Sequence, residues 1–222
     1  MLTKYGLDNI LVMLSIGIGL IVFSFFFQVS ILKYIFIILG LLLILFTFIF
    51  FRDPDRTIPE EAQNNPRIIL SPADGKVTEI IEIYENDYIK DNTKRISIFL
   101  SPLDVHVNRS PVSGSVEYLD YIPGKFLAAY DYKASEQNEQ SKIGVKNDYG
   151  KVLFKQIVGV LARRIVTDLI IGQEIKAGDK IGMMKFGSRM YIFLPINAEI
   201  TVKVGDRVIA GETIIAKLKW KN

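Results

Sequence analysis

The chain has 222 residues, a formal net charge of +3 from 27 Lys and Arg against 24 Asp and Glu, one histidine and no cysteine. That length allows one full hydrophobic core plus a membrane segment but not two large domains, and so small a charge gives no electrostatic footprint for nucleic acid. Without cysteine there is no disulfide, thiolate metal site or thiol nucleophile, and a lone His106 excludes a histidine cluster for metal.

Residues 10–27 read ILVMLSIGIGLIVFSFFF and residues 31–51 read ILKYIFIILGLLLILFTFIFF, with three residues between them. Each run approaches or meets the roughly 20 residues that cross a bilayer as a helix. Together they predict a tight helical hairpin. No small-residue cleavage site follows the first run, which argues against a removable signal. Lys4, Arg52 and Arg56 flank the hairpin and its turn is nearly uncharged, so both ends belong in the cytoplasm. Lys33 sits inside the second run and must snorkel or face the partner helix.

Residues 52–67 hold three prolines and many charges, the composition of a linker. From there the pattern is short and β-rich: 67–70, 76–84, 95–100, 115–121, 152–165, 180–186, 190–194, 200–204 and 213–218 read as strands, separated by Asp-Gly, Ser-Gly, Pro-Gly and Gly-Asp turns. Residues 128–148 are polar and weakly patterned and read as a long loop. The expected fold is mainly β: a barrel or sandwich-hybrid-like soluble domain of short strands, preceded by an α-helical membrane hairpin. IKAGDKIGMMKFGS (175–188) and VKVGDRVIAGETII (202–215) echo one another, each placing Gly-Asp between strand-like pieces. Such wording occurs in barrel-sandwich hybrid domains, and turn chemistry alone also requires it.

Three polar pieces stand out. SPADGKV (71–77) places Asp74 before a glycine at the start of a strand, where a turn aspartate is the plain reading. LSPLDVHVNRSPVSG (100–114) sets His106 between two valines, in company with Asp104, Asn108 and Arg109. In KFGSRM (185–190), Gly187 and Ser188 interrupt an apolar stretch that would otherwise run on as a strand; the plain reading is a bulge.

Taken in order, SPADGKV, FLSPLDVHVNRSPVSGSV, QIVGVLARRIV and KFGSRM resemble the phosphatidylserine decarboxylase proenzymes, in particular their short membrane-anchored prokaryotic type. The resemblance covers nearly the whole chain; Met190 and Tyr191 depart from its pattern. It implies self-cleavage between Gly187 and Ser188, which divides the chain into 1–187 (the β chain) and 188–222 (the α chain). Ser188 becomes a pyruvoyl group, the cofactor, with neither metal nor pyridoxal phosphate. His106 is then the base for the Ser188 hydroxyl and Asp74 its carboxylate partner. The implied partners are phosphatidylserine in the membrane and the two cleaved chains, with no nucleic acid; a homo-oligomer is compatible. The implied organisation is a hairpin (1–51), a linker (52–67) and a catalytic domain (68–222) on the cytoplasmic side of the cell membrane.

For the lipid phosphate, Arg163, Arg164 and Arg109 are equal candidates. Adjacent strand residues face opposite ways, so at most one of the first two reaches a common site. Two rivals remain: a membrane-tethered hybrid-fold carrier or binding module without self-processing, and an inactive relative that stays whole. A carrier would need a lysine at a hairpin tip, which is missing, or a histidine phosphorylated with no reason for the Gly-Ser break.

Overall fold

The computed structural model describes residues 1–124, 138–159, 164–185 and 188–220, with Ser188 defined by its backbone alone. The chain divides into two compact units, Met1–Pro54 and Asp55–Asn222.

In the first unit the two apolar runs become α1 (Leu7–Ser24) and α2 (Ser30–Phe50). Both are long and apolar enough to cross a membrane, and little of either is buried within the protein. They pack closely because small residues meet: a Cβ added at Gly40 would lie 2.6 Å from the Gly17 carbonyl oxygen. Above that crossing the rings of Phe27 and Phe36 stack with centroids 5.0 Å apart. Lys33 finds its place over the ring of Phe25, with 5.0 Å between ammonium and centroid. Bonds from Thr3 N–H to the Phe51 carbonyl and from Asp53 N–H to the Met1 carbonyl tie the two ends of the hairpin together.

The second unit is mainly β. Its strands are β1 (Ile68–Leu70), β2 (Gly75–Glu85), β3 (Asp91–Leu100), β4 (Val107–Arg109), β5 (Gly114–Ile122), β6 (Gln140–Asn147), β7 (Gly150–Val158), β8 (Arg164–Thr167), β9 (Glu174–Ile175), β10 (Lys180–Lys185), β11 (Ser188–Pro195), β12 (Glu199–Ile200), β13 (Arg207–Val208) and β14 (Ile214–Lys217). They form an eight-stranded sheet in the order β13-β2-β3-β11-β7-β6-β5-β9 and two three-stranded sheets, β4-β10-β8 and β1-β14-β12. Every pairing is antiparallel.

The strands alternate faces. Met190, Ile192 and Leu194 of β11 join Ile96, Ile98 and Leu100 of β3 and Phe154 and Val158 of β7 in a fully buried core. Each such side chain contributes about 1.5–3 kcal/mol of burial. The Gly-Asp part of the echo between 175–188 and 202–215 is a shared turn. Gly178 and Gly205 take φ of +91° and +101°, and Asp179 and Asp206 accept from the N–H of Lys176 and Lys203. Residues 55–67 pack on this unit, with Ile58 against a small cluster of Ala62, Ile68, Leu70 and Ala177.

Two expectations need correction. The region 128–148 is not loop throughout, because residues 140–147 form β6, paired on both sides; residues 128–137 lie outside the described residues. Its polar side chains hid the strand: Lys142 is buried by pairing with Asp87 across the sheet face. The stretch 152–165 is not one strand either, since β7 ends at Val158 and β8 starts at Arg164 in another sheet.

On that outer face Asp87 takes Lys142 and Lys155 on one oxygen, each at 2.8 Å. Burial pushes its carboxyl up, but the two lysine hydrogen bonds and charges outweigh it and hold it below the usual value. A lowered folded value stabilises the protein above the ordinary carboxylate range, and that stability is lost as pH falls through the folded value. Urea midpoints are therefore expected to drop as pH falls below about 4, with Asp87→Asn flattening part of the decline. An undiminished decline in Asp87→Asn would locate the acid sensitivity elsewhere.

Candidate active site

One end of the large sheet gathers the sequence-predicted pieces. β2 starts at Gly75, β3 ends at Leu100, β7 ends at Val158 and β11 starts at Ser188. The registers bring these ends level: Lys76 pairs with Phe99, and Ser188 pairs with Leu100 on one side and Val158 on the other. The segment after Leu100 leads directly into His106 and β4. β4 lies beside β10, where the Met184 N–H donates to the His106 carbonyl. Ser188 thus sits by its backbone at the centre of the sheet, with the His106 segment leaving from its neighbour. Phe186, Gly187 and the Ser188 side chain lie outside the described residues.

His106 is fully buried. Its Nδ1 is 2.8 Å from the carbonyl oxygen of Asp104. A carbonyl only accepts, so Nδ1 carries the proton of the neutral ring and Nε2 carries the lone pair. That is the tautomer a base needs at Nε2. Asp104 is held in turn, because its carboxylate accepts from Ser101 N–H at 2.8 Å and from Arg207 Nη2 at 2.6 Å.

Asp74 and His106 do not share a hydrogen bond. Both Asp74 oxygens face Arg56 Nη2, at 2.9 and 2.8 Å, and one also accepts from Ala210 N–H at 2.8 Å. The pair is largely buried, with side-chain exposures of 10% and 16%. Asp74 instead binds the segment 207–210, whose Arg207 holds Asp104.

The basic candidates separate. Arg109 is buried and donates to the Gly178 carbonyl at 2.7 Å, a bond that pins the turn before β10. Arg164 is exposed at the start of β8, and Arg163 lies outside the described residues. Arg189, next to Ser188, donates to Tyr191 Oη at 3.3 Å, and its buried Nε has no partner among the described residues. Of the three weighed for phosphate, Arg109 serves the fold.

Sequence reading missed three features. The Asp104 carbonyl is a backbone atom, so no residue type announces it. Arg56 was read as a membrane flank, yet it neutralises Asp74. Asn108 and Gln156, 48 positions apart, meet in the interior with Gln156 Nε2 donating to Asn108 Oδ1 at 2.9 Å.

Comparison with known proteins adds a separate line. The family model for phosphatidylserine decarboxylase matches residues 43–216. The chain is 50% identical over 170 residues to the phosphatidylserine decarboxylase proenzyme of Amoebophilus asiaticus, covering 76% of this chain and 74% of that protein. It is 46% identical over 174 residues to the protein of that name from Symbiobacterium thermophilum, covering 78% and 79%. With the one from Chlorobium luteolum it shares 41% identity over 217 residues, 98% of this chain and 100% of the other.

Proposed function

The chain belongs to the phosphatidylserine decarboxylase family, and from that premise we propose that it converts phosphatidylserine to phosphatidylethanolamine and carbon dioxide after cutting its own backbone between Gly187 and Ser188. The position of Ser188 carries this reading. It is the first residue of a central strand, whereas β10 before it belongs to a different sheet. A break there leaves β10 and β11 each whole. The fragment 188–222 keeps the pairs of β11 with β3 and β7, of β13 with β2 and of β14 with β1.

In the cut, the Ser188 hydroxyl adds to the Gly187 carbonyl carbon, the peptide C–N bond breaks and an ester replaces it. Loss of the residue 188 α-proton expels Gly187 as a carboxylate. The enamine left behind takes up water and releases ammonia, which makes a pyruvoyl group at the new amino end. A serine hydroxyl needs a base to act as nucleophile. His106 takes that part, its Nε2 lone pair directed by the Asp104 carbonyl. Asp74 supports the set by fixing the start of β2 to Ala210, three residues from the Arg207 that holds Asp104.

A pyruvoyl carbonyl supplies an electron sink for the bond to the departing carboxylate. The frame at residue 188 fits such a group, because Leu100 and Val158 hold that position by backbone pairing from both sides. The protein's own residues then do the rest: buried Leu100, Val158 and Met190 exclude water, and His106 holds a proton for the carbon that loses its carboxylate. The apolar hairpin keeps the enzyme at the bilayer that holds its substrate, with the catalytic unit on the cytoplasmic side by the charge of its flanks.

A denaturing gel of the purified protein tests this reading. Two pieces are expected, and mass spectrometry of the smaller should find it lighter by one ammonia than a fragment starting in serine. A single intact chain that still decarboxylates the lipid would overturn the assignment.

A further inference from the structure

Asn108 lies in β4 two residues after His106, and Gln156 lies in β7 two residues before Val158; both side chains are fully buried. Their mutual hydrogen bond uses one polar atom of each. Asn108 Nδ2 and Gln156 Oε1 are left without a partner among the described residues. Turning both amides over exchanges their roles but not the balance, since one donor and one acceptor stay free.

Such a pair is costly. Each buried polar atom without a partner carries an uncompensated desolvation penalty, while two apolar side chains of similar shape would carry none. The location gives a use for it. Gln156 pairs with Met190 in β11, two residues from Ser188 and so about 7 Å along the strand. Asn108 pairs with Gly182 in β10, and the carbonyl of His106 on the same segment bonds Met184.

We propose that Asn108 and Gln156 form a clamp for the reacting head group, in which Gln156 Oε1 accepts from its amino nitrogen and Asn108 Nδ2 donates to its carboxylate. One free acceptor beside one free donor is the complement of an α-amino acid, which carries an ammonium and a carboxylate on the same carbon. An ethanolamine head group has no carboxylate, so the product leaves Asn108 Nδ2 unpartnered again and is held less tightly. The clamp rests on the decarboxylase reading above, and it adds a reason for product to leave.

Full-length protein in mixed micelles of detergent and phosphatidylserine gives the test. Wild-type turnover comes first, since its absence would sink the decarboxylase reading and not the clamp. Asn108→Asp sets a carboxylate against the substrate carboxylate and is expected to raise KM about 10- to 100-fold. Gln156→Glu gives the amino nitrogen a charged acceptor in place of a neutral one and is expected to lower KM. A merely structural pair would instead lower the melting temperature in both variants, without opposite effects on KM. Should Asn108→Asp fail to mature, Asn108→Ser retains a shorter donor and is expected to raise KM less.

A binding readout avoids turnover. After borohydride inactivation, mature Asn108→Asp should bind dioctanoyl phosphatidylserine more weakly than wild type, with binding of the ethanolamine lipid unchanged. The double variant Asn108→Leu with Gln156→Leu should melt at or above the wild-type temperature yet lose this discrimination. Wild-type-like KM and discrimination in the matured double variant would overturn the proposal.

Discussion

Ser188→Ala is expected to accumulate as one unbroken polypeptide and to release no measurable carbon dioxide from phosphatidylserine. The single missing atom is the hydroxyl oxygen that the proposed cut requires, and no cysteine exists in the chain to replace it. Both activities should vanish together if, as proposed, the cut creates the group that the second reaction uses. The fold should survive, since β11 keeps its backbone pairs with β3 and β7 whatever side chain stands at 188. Ser188→Thr, which retains a hydroxyl on a branched side chain, should cut slowly. A folded Ser188→Ala protein that decarboxylates at the wild-type rate would refute both the cut and the source of the electron sink.

His106→Asn is the second large effect. An asparagine amide can reproduce the Nδ1 hydrogen bond to the Asp104 carbonyl but offers no base where Nε2 stood. The protein should therefore fold and melt like wild type, while fragment 188–222 appears about 100- to 10,000-fold more slowly. Time-resolved gels of newly made protein measure that rate. Processing at the wild-type rate would move the base to another residue and leave His106 as a buried packing group.

What the sequence revealed follows from which interactions are local. The hairpin was legible because 18 and 21 residues of nearly unbroken apolar side chains admit little else. β2, β3, β5 and β11 were legible because Ile, Val, Phe and Tyr recur within each. β6 was not, because what makes Lys142 tolerable there is Asp87, 55 positions earlier. β9 and β13 have two residues each and no period to detect.

The site divides the same way. Asp74, His106 and Ser188 could be singled out by residue type and resemblance, and the fold brings their segments to one end of one sheet. The connections among them are tertiary: Arg56 to Asp74 and Arg207 to Asp104 span 18 and 103 positions. An isolated turn aspartate gives no hint of the cation that will meet it.

The dispersal of the last 35 residues across two sheets has a bearing on lifetime as well as chemistry. A chain severed before β11 becomes a two-body complex, so melting it would be a dissociation and recovering it would be a bimolecular encounter that slows on dilution. The uncut precursor can find its shape alone. Maturation would thus spend the molecule's capacity for unaided repair, leaving a working enzyme that endures only as long as its sheets stay zipped.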